Sequence, residues 1–137
     1  MTTSTRTAPR LPLLRTALLL DAAVTVANGA LYLALAPALD GLLGLPAGTL
    51  RVAGGFLLAF GVAVGLLGRL AEPPARAVLA VVTANAAWVA GSVLAAATGW
   101  RSPTGVGTAW LVLQAVVVAG FAALQVLGLR RQARPVR

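Results

Sequence analysis

The chain has 137 residues, 59% of them hydrophobic and only 10% charged, with a net charge of +8 and a mean hydropathy of +0.91. Soluble domains average roughly 45–50% apolar and 25% charged residues, so a chain of this size and composition lacks the polar surface to cover itself in water. With no Cys, no His and only three carboxylates, Asp21, Asp40 and Glu72, it has no means of building thiolate or imidazole metal centres, haem held by His or Cys, or a Ser-His-Asp triad.

Apolar runs of about twenty residues, the length that crosses a hydrocarbon core about 30 Å thick, recur four times. They predict an all-α membrane protein with four transmembrane helices in one up-down bundle. Residues 1–12 form a Thr-, Arg- and Pro-rich tail expected to be disordered. The first helix is predicted from about Leu13 to Ala36, stopping at Pro37. The link from Pro37 to Thr49 is apolar but broken by two Pro and three Gly, which predicts an interfacial turn or a short helix. A second helix follows from about Leu50 to Leu70, then a tight turn, Ala71-Glu72-Pro73-Pro74. The third is predicted over Ala75 to Thr98, ended by Gly99 to Pro103, and the fourth over Thr104 to Leu129, leaving 130–137 as a basic carboxy-terminal tail.

The positive charge is all Arg. Arg6, Arg10, Arg15, Arg69, Arg76, Arg130, Arg131, Arg134 and Arg137 fall on one side of this topology, against Arg51 and Arg101 on the other. That bias predicts both termini on the cytoplasmic side, with the Arg-rich ends meeting anionic lipid headgroups rather than nucleic acid. Tyr32, Trp100 and Trp110 are expected at the opposite interface, where amphipathic rings favour the headgroup level. A basic start followed by an apolar run imitates a cleavable signal peptide, but a core of about twenty-four residues interrupted by Asp21 and Asn28 is a poor one. At an offset of 57 residues Asn28 falls on Asn85, Pro46 on Pro103 and Gly48 on Gly105. The match makes a possible tandem two-helix repeat with parallel halves; in an alphabet dominated by Ala, Val, Leu and Gly, chance accounts for it equally well.

Asp21, Thr25, Asn28 and Tyr32 are spaced i, i+4, i+7, i+11, which places them on one face of the first helix. An ionised Asp in hydrocarbon costs about 2.5–3.5 kcal/mol on insertion scales, so it should face the bundle interior or a cavity, where it is a candidate for reversible proton binding. The structural alternative has Asp21 bonded to Thr25 or a neighbouring helix, or reached by Arg69 or Arg76. Asn85, Trp88 and Ser92 share a face of the third helix, and Gln114 and Gln125 a face of the fourth. Asn28, Asn85 and Gln114 fall near mid-membrane and would converge either as interhelical packing bonds or as a small polar pocket walled by Trp88. In the second helix Gly54, Gly61, Gly65 and Gly68 form a small-residue stripe. It permits close backbone approach, within the bundle in the first instance or else at a homo-oligomer seam. No metal, cofactor or catalytic constellation is expected.

Asn85-Ala-Ala-Trp88, Gly99-Trp100, Pro103-Thr-Gly-Val-Gly107, Gln114-Ala115 and Gln125-Val-Leu-Gly-Leu-Arg-Arg131, together with Asp21 and Leu-Gly-Leu-Pro46, resemble a group of small bacterial four-helix integral membrane proteins of unassigned function. The resemblance implies an architecture and a bacterial plasma (inner) membrane location, and no activity. A looser similarity is to the small multidrug resistance transporters, which also carry an acidic residue in helix 1 and a Trp in helix 3. Asp21 and Trp88 would take those places, although Asp replaces Glu and Trp88-Val-Ala-Gly91 stands where the transporters have Trp-Ser-Gly.

Three functions follow as expectations. The first is a non-enzymatic membrane protein with an intramembrane polar site for a lipophilic ligand, or an accessory subunit. The second is a proton-coupled exporter of small hydrophobic compounds that uses Asp21. The third, an intramembrane isomerase or cyclase with Asp21 as general acid and Asn28 or Asn85 orienting the substrate, lacks a second acid-base partner.

Overall fold

The computed structural model describes residues 12–133; the two predicted tails lie outside them, save Pro12 and residues 130–133. The described chain is four helices: α1 (Leu13–Leu43), α2 (Ala47–Gly68), α3 (Ala75–Thr98) and α4 (Gly105–Ala133). At 1.5 Å per residue even the shortest, α2 with 22 residues, is about 33 Å long. Each is long and apolar enough to cross a membrane.

Pro37 does not end the first helix, and the expected link is correspondingly short. Proline removes one backbone donor and its ring displaces the carbonyl four residues earlier, so the helix bends instead of stopping. The bend falls at Leu35, whose φ of −118° and ψ of 18° leave the helical region, and α1 continues to Leu43. Gly44 then closes it in a left-handed conformation (φ 71°) with its N–H on the Asp40 carbonyl, 2.8 Å. Asp40 turns its carboxylate to the next helix and accepts the Ala47 N–H at 3.1 Å, so α2 starts directly after Pro46, three residues before the expected Leu50. It ends at Gly68, two residues before Leu70. α3 spans its predicted range, and α4 runs to Ala133, beyond the expected Leu129.

Ends of sequence-distant helices are tied together by side chains. Arg15 donates to the Gly68 and Arg69 carbonyls at 3.1 and 3.3 Å, satisfying the C-terminus of α2. At the opposite end Thr104 caps both neighbours. Its hydroxyl accepts the Gly107 N–H at 3.0 Å and donates to the Leu42 carbonyl at 2.8 Å, while its N–H meets the Leu43 carbonyl at 2.9 Å.

The glycine stripe of α2 faces α1. A Cβ built on Gly54 would stand 2.9 Å from the Gly29 carbonyl and from Tyr32 Cβ, one on Gly61 2.7 Å from Val26, and one on Gly68 3.1 Å from Leu18; Gly65 is looser, 3.4 Å from Ala22. Reciprocally, a Cβ on Gly29 would meet the Gly54 carbonyl and Leu58 nitrogen at 2.8 Å. In a membrane, where lipid tails are as apolar as Leu, this close backbone approach is what holds helices together. Gly29 is the partner the α2 stripe needs.

Around the bundle, α1 packs on α2 and α4, α4 on α3, while α2 and α3 barely touch. Near the Arg-rich end a core of Leu14, Leu18, Ala22, Val64, Val78 and Val81 draws the helices together. Toward the other end α2 and α3 separate. A second core, Tyr32, Ala36, Leu43, Leu45, Leu50 and Leu57, there serves mainly α1 and α2.

Candidate functional site

Two polar layers cross the bundle, and both begin on the α1 face of Asp21, Thr25, Asn28 and Tyr32. In the first, the Asp21 carboxylate accepts from Thr25 Oγ1 at 3.0 Å on one oxygen. On the other it accepts from Asn85 Nδ2 at 2.9 Å and Gln125 Nε2 at 2.7 Å. Asn85 also donates to Gln125 Oε1 at 3.1 Å. Asp21, Asn85 and Gln125 are all but inaccessible. Its partners are therefore three neutral side chains, and neither Arg69 nor Arg76, expected as alternatives, is among them. Buried polar groups in an apolar medium must be paired, and this layer pairs a carboxylate with donors from α1, α3 and α4.

In the second layer Tyr32 is the hub. Trp110 Nε1 donates to its hydroxyl at 2.7 Å, and Gln114 Nε2 donates to the same oxygen. Tyr32 is 3% exposed, so it and Trp110 clamp α1 to α4 inside the bundle. Trp100 is half exposed beside Arg101.

Gln125 and Gln114 are eleven residues apart on α4, as Asp21 and Tyr32 are on α1. Because the two helices run antiparallel, one register seats both pairs, and the layers lie about 16 Å apart along the helices.

Between the layers is a cavity of about 520 Å³, within the range of small-ligand sites. All four helices line it. Polar groups on its wall are Thr25, Asn28, Asn85 and Gln114, with Trp88 and Trp110 among the aromatic residues. Asp21 is not on the wall; it stands behind Thr25 and Asn85. The three residues expected to converge, Asn28, Asn85 and Gln114, all reach this cavity without bonding one another. Asn28 is the exception in bonding, since its Oδ1 is buried with no partner among the described residues.

An aromatic stack lines the side of the cavity where α2 and α3 separate. Phe56 lies between Phe60 (centroids 5.9 Å apart) and Trp88 (6.4 Å), with interplanar angles of 9° and 10°. Beyond it a larger groove, about 1070 Å³, runs between α2 and α3 past Trp88, Gly91 and the buried Ser92 to Trp100 and Arg101. Ser92 thus belongs to the outer groove, and Trp88 and Gln114 to both spaces. The glycines Gly54, Gly61, Gly65 and Gly68 line neither the cavity nor its wall; they hold α2 against α1. Among the described residues no cluster of acidic, His or Cys side chains could hold a metal.

The fold and this interior define a class no finer than a four-helix chain suited to multi-pass membrane insertion, with a half-open cavity among its helices. Comparison with protein-family models, curated proteins and solved structures finds no match to the chain.

Proposed function

We propose that the chain is a multi-pass protein of a bacterial plasma membrane, both termini cytoplasmic, that binds a lipophilic small molecule carrying one hydroxyl, without transforming it. The observation that carries this reading is the unpartnered Asn28 carbonyl beside the cavity. A buried amide without a partner costs about 1–3 kcal/mol, and every other polar group nearby on the α1 face has one. A hydroxyl both donates and accepts, so it matches the Asn28 amide in either orientation of the side chain. The orientation is supported by the charge bias: Arg69, Arg76, Arg130 and Arg131 are exposed at one end of the bundle, available to anionic headgroups.

Trp88 and Trp110 both line the cavity, so binding there is readable as a change in tryptophan fluorescence. Full-length protein in detergent is titrated with 2-naphthol and with 2-methoxynaphthalene, which lacks the donor. The phenol should bind about tenfold more tightly, the worth of one satisfied buried hydrogen bond. Asn28→Val should bring the two together. Equal affinities in the wild type would sink the proposal.

One observation keeps proton-coupled export as a second reading: two of the Asp21 donors, Thr25 and Asn85, form part of the cavity wall. A proton at Asp21 would be felt at that wall. Export fails if Asp21→Asn, reconstituted in vesicles, moves hydrophobic compounds as the wild type does. General acid catalysis by Asp21 is less well served, because the acid must reach the reacting atom and this carboxyl lies behind its partners.

A further inference from the structure

The groove between α2 and α3 adjoins the cavity, sharing Phe56, Ala84, Trp88 and Gln114 with it, and its lining changes from end to end. Near its inner limit it is mostly apolar and aromatic, with Phe56, Ala84 and Trp88, its polar groups there being the Tyr32 and Gln114 side chains already bonded to each other. Near the helix ends it is bordered by Thr49, Thr98, Trp100 and Arg101. Its flanks are wide open, Val52 being 77% and Leu94 63% exposed. Arg101 is the only charged side chain in the lining. Its guanidinium lies over the Trp100 ring, 4.9 Å from the centroid, and among the described residues it meets no carboxylate. It is held there by an unusual turn in which Arg101 (φ 65°) and Ser102 (φ 54°) both adopt the left-handed region that favours glycine.

We propose that this groove seats one acyl chain of an anionic phospholipid from the leaflet opposite the Arg-rich end, with the headgroup phosphate on Arg101. The chemistry is complementary at both ends. An acyl chain covers the apolar, laterally open part of the groove, which otherwise would face bulk lipid with poor packing. A lipid phosphate supplies the anion that Arg101 lacks, and guanidinium is the side chain best shaped for it. Thr49 adds a hydroxyl donor at the same level, and Trp100 sits where headgroup and tail meet. The headgroup end of the groove lies away from the Asn28 cavity, which the groove meets only at its inner end, at Phe56, Ala84, Trp88 and Gln114, and it lies across the bundle from the Arg-rich end.

Native mass spectrometry of the detergent-solubilised full chain, offered equal amounts of phosphatidylglycerol and phosphatidylcholine with identical tails, tests this. The wild type should retain the anionic lipid about fivefold in preference, the worth of one cation near a headgroup. Arg101→Gln should abolish the preference and Arg101→Lys keep most of it, while Arg69→Gln with Arg76→Gln, at the other end, should leave it unchanged. Gly91→Leu should reduce retention of both lipids by filling the groove; a Cβ at Gly91 meets nothing within 4 Å, so the fold accommodates it. Preference that survives in Arg101→Gln, retention that survives in Gly91→Leu, or a lipid-free dimer in which a second copy occupies the groove would each overturn the proposal.

Discussion

The Asp21 and Tyr32 layers share a register and a pair of helices, yet they are built differently. The Asp21 layer joins three helices through a carboxylate that accepts three hydrogen bonds. The Tyr32 layer joins two, through a phenolic oxygen that accepts two from α4. The difference follows from where the helices stand. Near the Arg-rich end α3 is drawn in by the Val78 and Val81 core, so Asn85 can complete the first layer. Further along, α3 has moved away from α2, and its face there lines the outer groove. A bundle that opens along its length can close a polar layer over three helices only at its narrow end, and the cavity lies where it begins to open.

The largest expected effect comes from removing the hub of the tighter layer. Asp21→Ala deletes an acceptor of three bonds, and intramembrane hydrogen bonds average about 0.6 kcal/mol each, so the loss should be about 2 kcal/mol in mixed-micelle unfolding. The isosteric Asp21→Asn sharpens the point. Its amide oxygen can accept from Asn85 and Gln125 while its NH2 donates to Thr25 Oγ1, so stability should stay within about 0.5 kcal/mol of wild type. A loss as large as that of the Ala variant would show that the charge itself, not the hydrogen-bond pattern, holds this layer.

The other hub is worth less. Tyr32→Phe keeps the ring in the core and removes only the oxygen, leaving the Trp110 and Gln114 donors without their partner. Two lost bonds amount to about 1 kcal/mol by the same measure. Loss equal to that of Asp21→Ala would mean that the layers do not differ as their bond counts say. Trp110 offers a direct check: freed of its acceptor, the indole should change its fluorescence in Tyr32→Phe, and not in Asp21→Asn.

Much of the frame was legible because it is local. Apolar length marks a membrane-spanning helix, and the i, i+4, i+7, i+11 spacing put Asp21, Thr25, Asn28 and Tyr32 on one side of α1. The Asp21–Thr25 bond, one helical turn apart, follows from that spacing alone. Interhelical partners were not legible. Gln125 lies 104 residues from Asp21, and Gly29 is one glycine among fifteen until the α2 stripe is seen packed on it. The matching interval of eleven on α1 and α4 was present in the sequence, and it means something only once the two helices are known to be antiparallel neighbours. The bend at Leu35 shows the opposite failure, a local rule applied too strictly. Proline stops a helix where water or another fold can take the freed backbone groups, whereas in lipid the cheaper course is to bend and continue.

The smallest effect on stability belongs to the residue between the layers, and its sign is reversed. Asn28 bonds to neither hub, and its carbonyl is buried without a partner. Replacing it by Val removes a polar atom that gains nothing from the fold and leaves an apolar side chain on a largely apolar wall. Asn28→Val should therefore stabilise the protein slightly, by about 0.5–1 kcal/mol in the same unfolding assay. The preference for naphthol over its methyl ether should vanish in the same variant. A residue kept for structure should lose stability when it is removed; one kept for a ligand should lose only the ligand, and such sites commonly cost the fold something. Destabilisation in Asn28→Val comparable to that in Tyr32→Phe would place Asn28 with the two layers, as a third tie between helices, and would remove the reason for assigning the cavity a polar ligand.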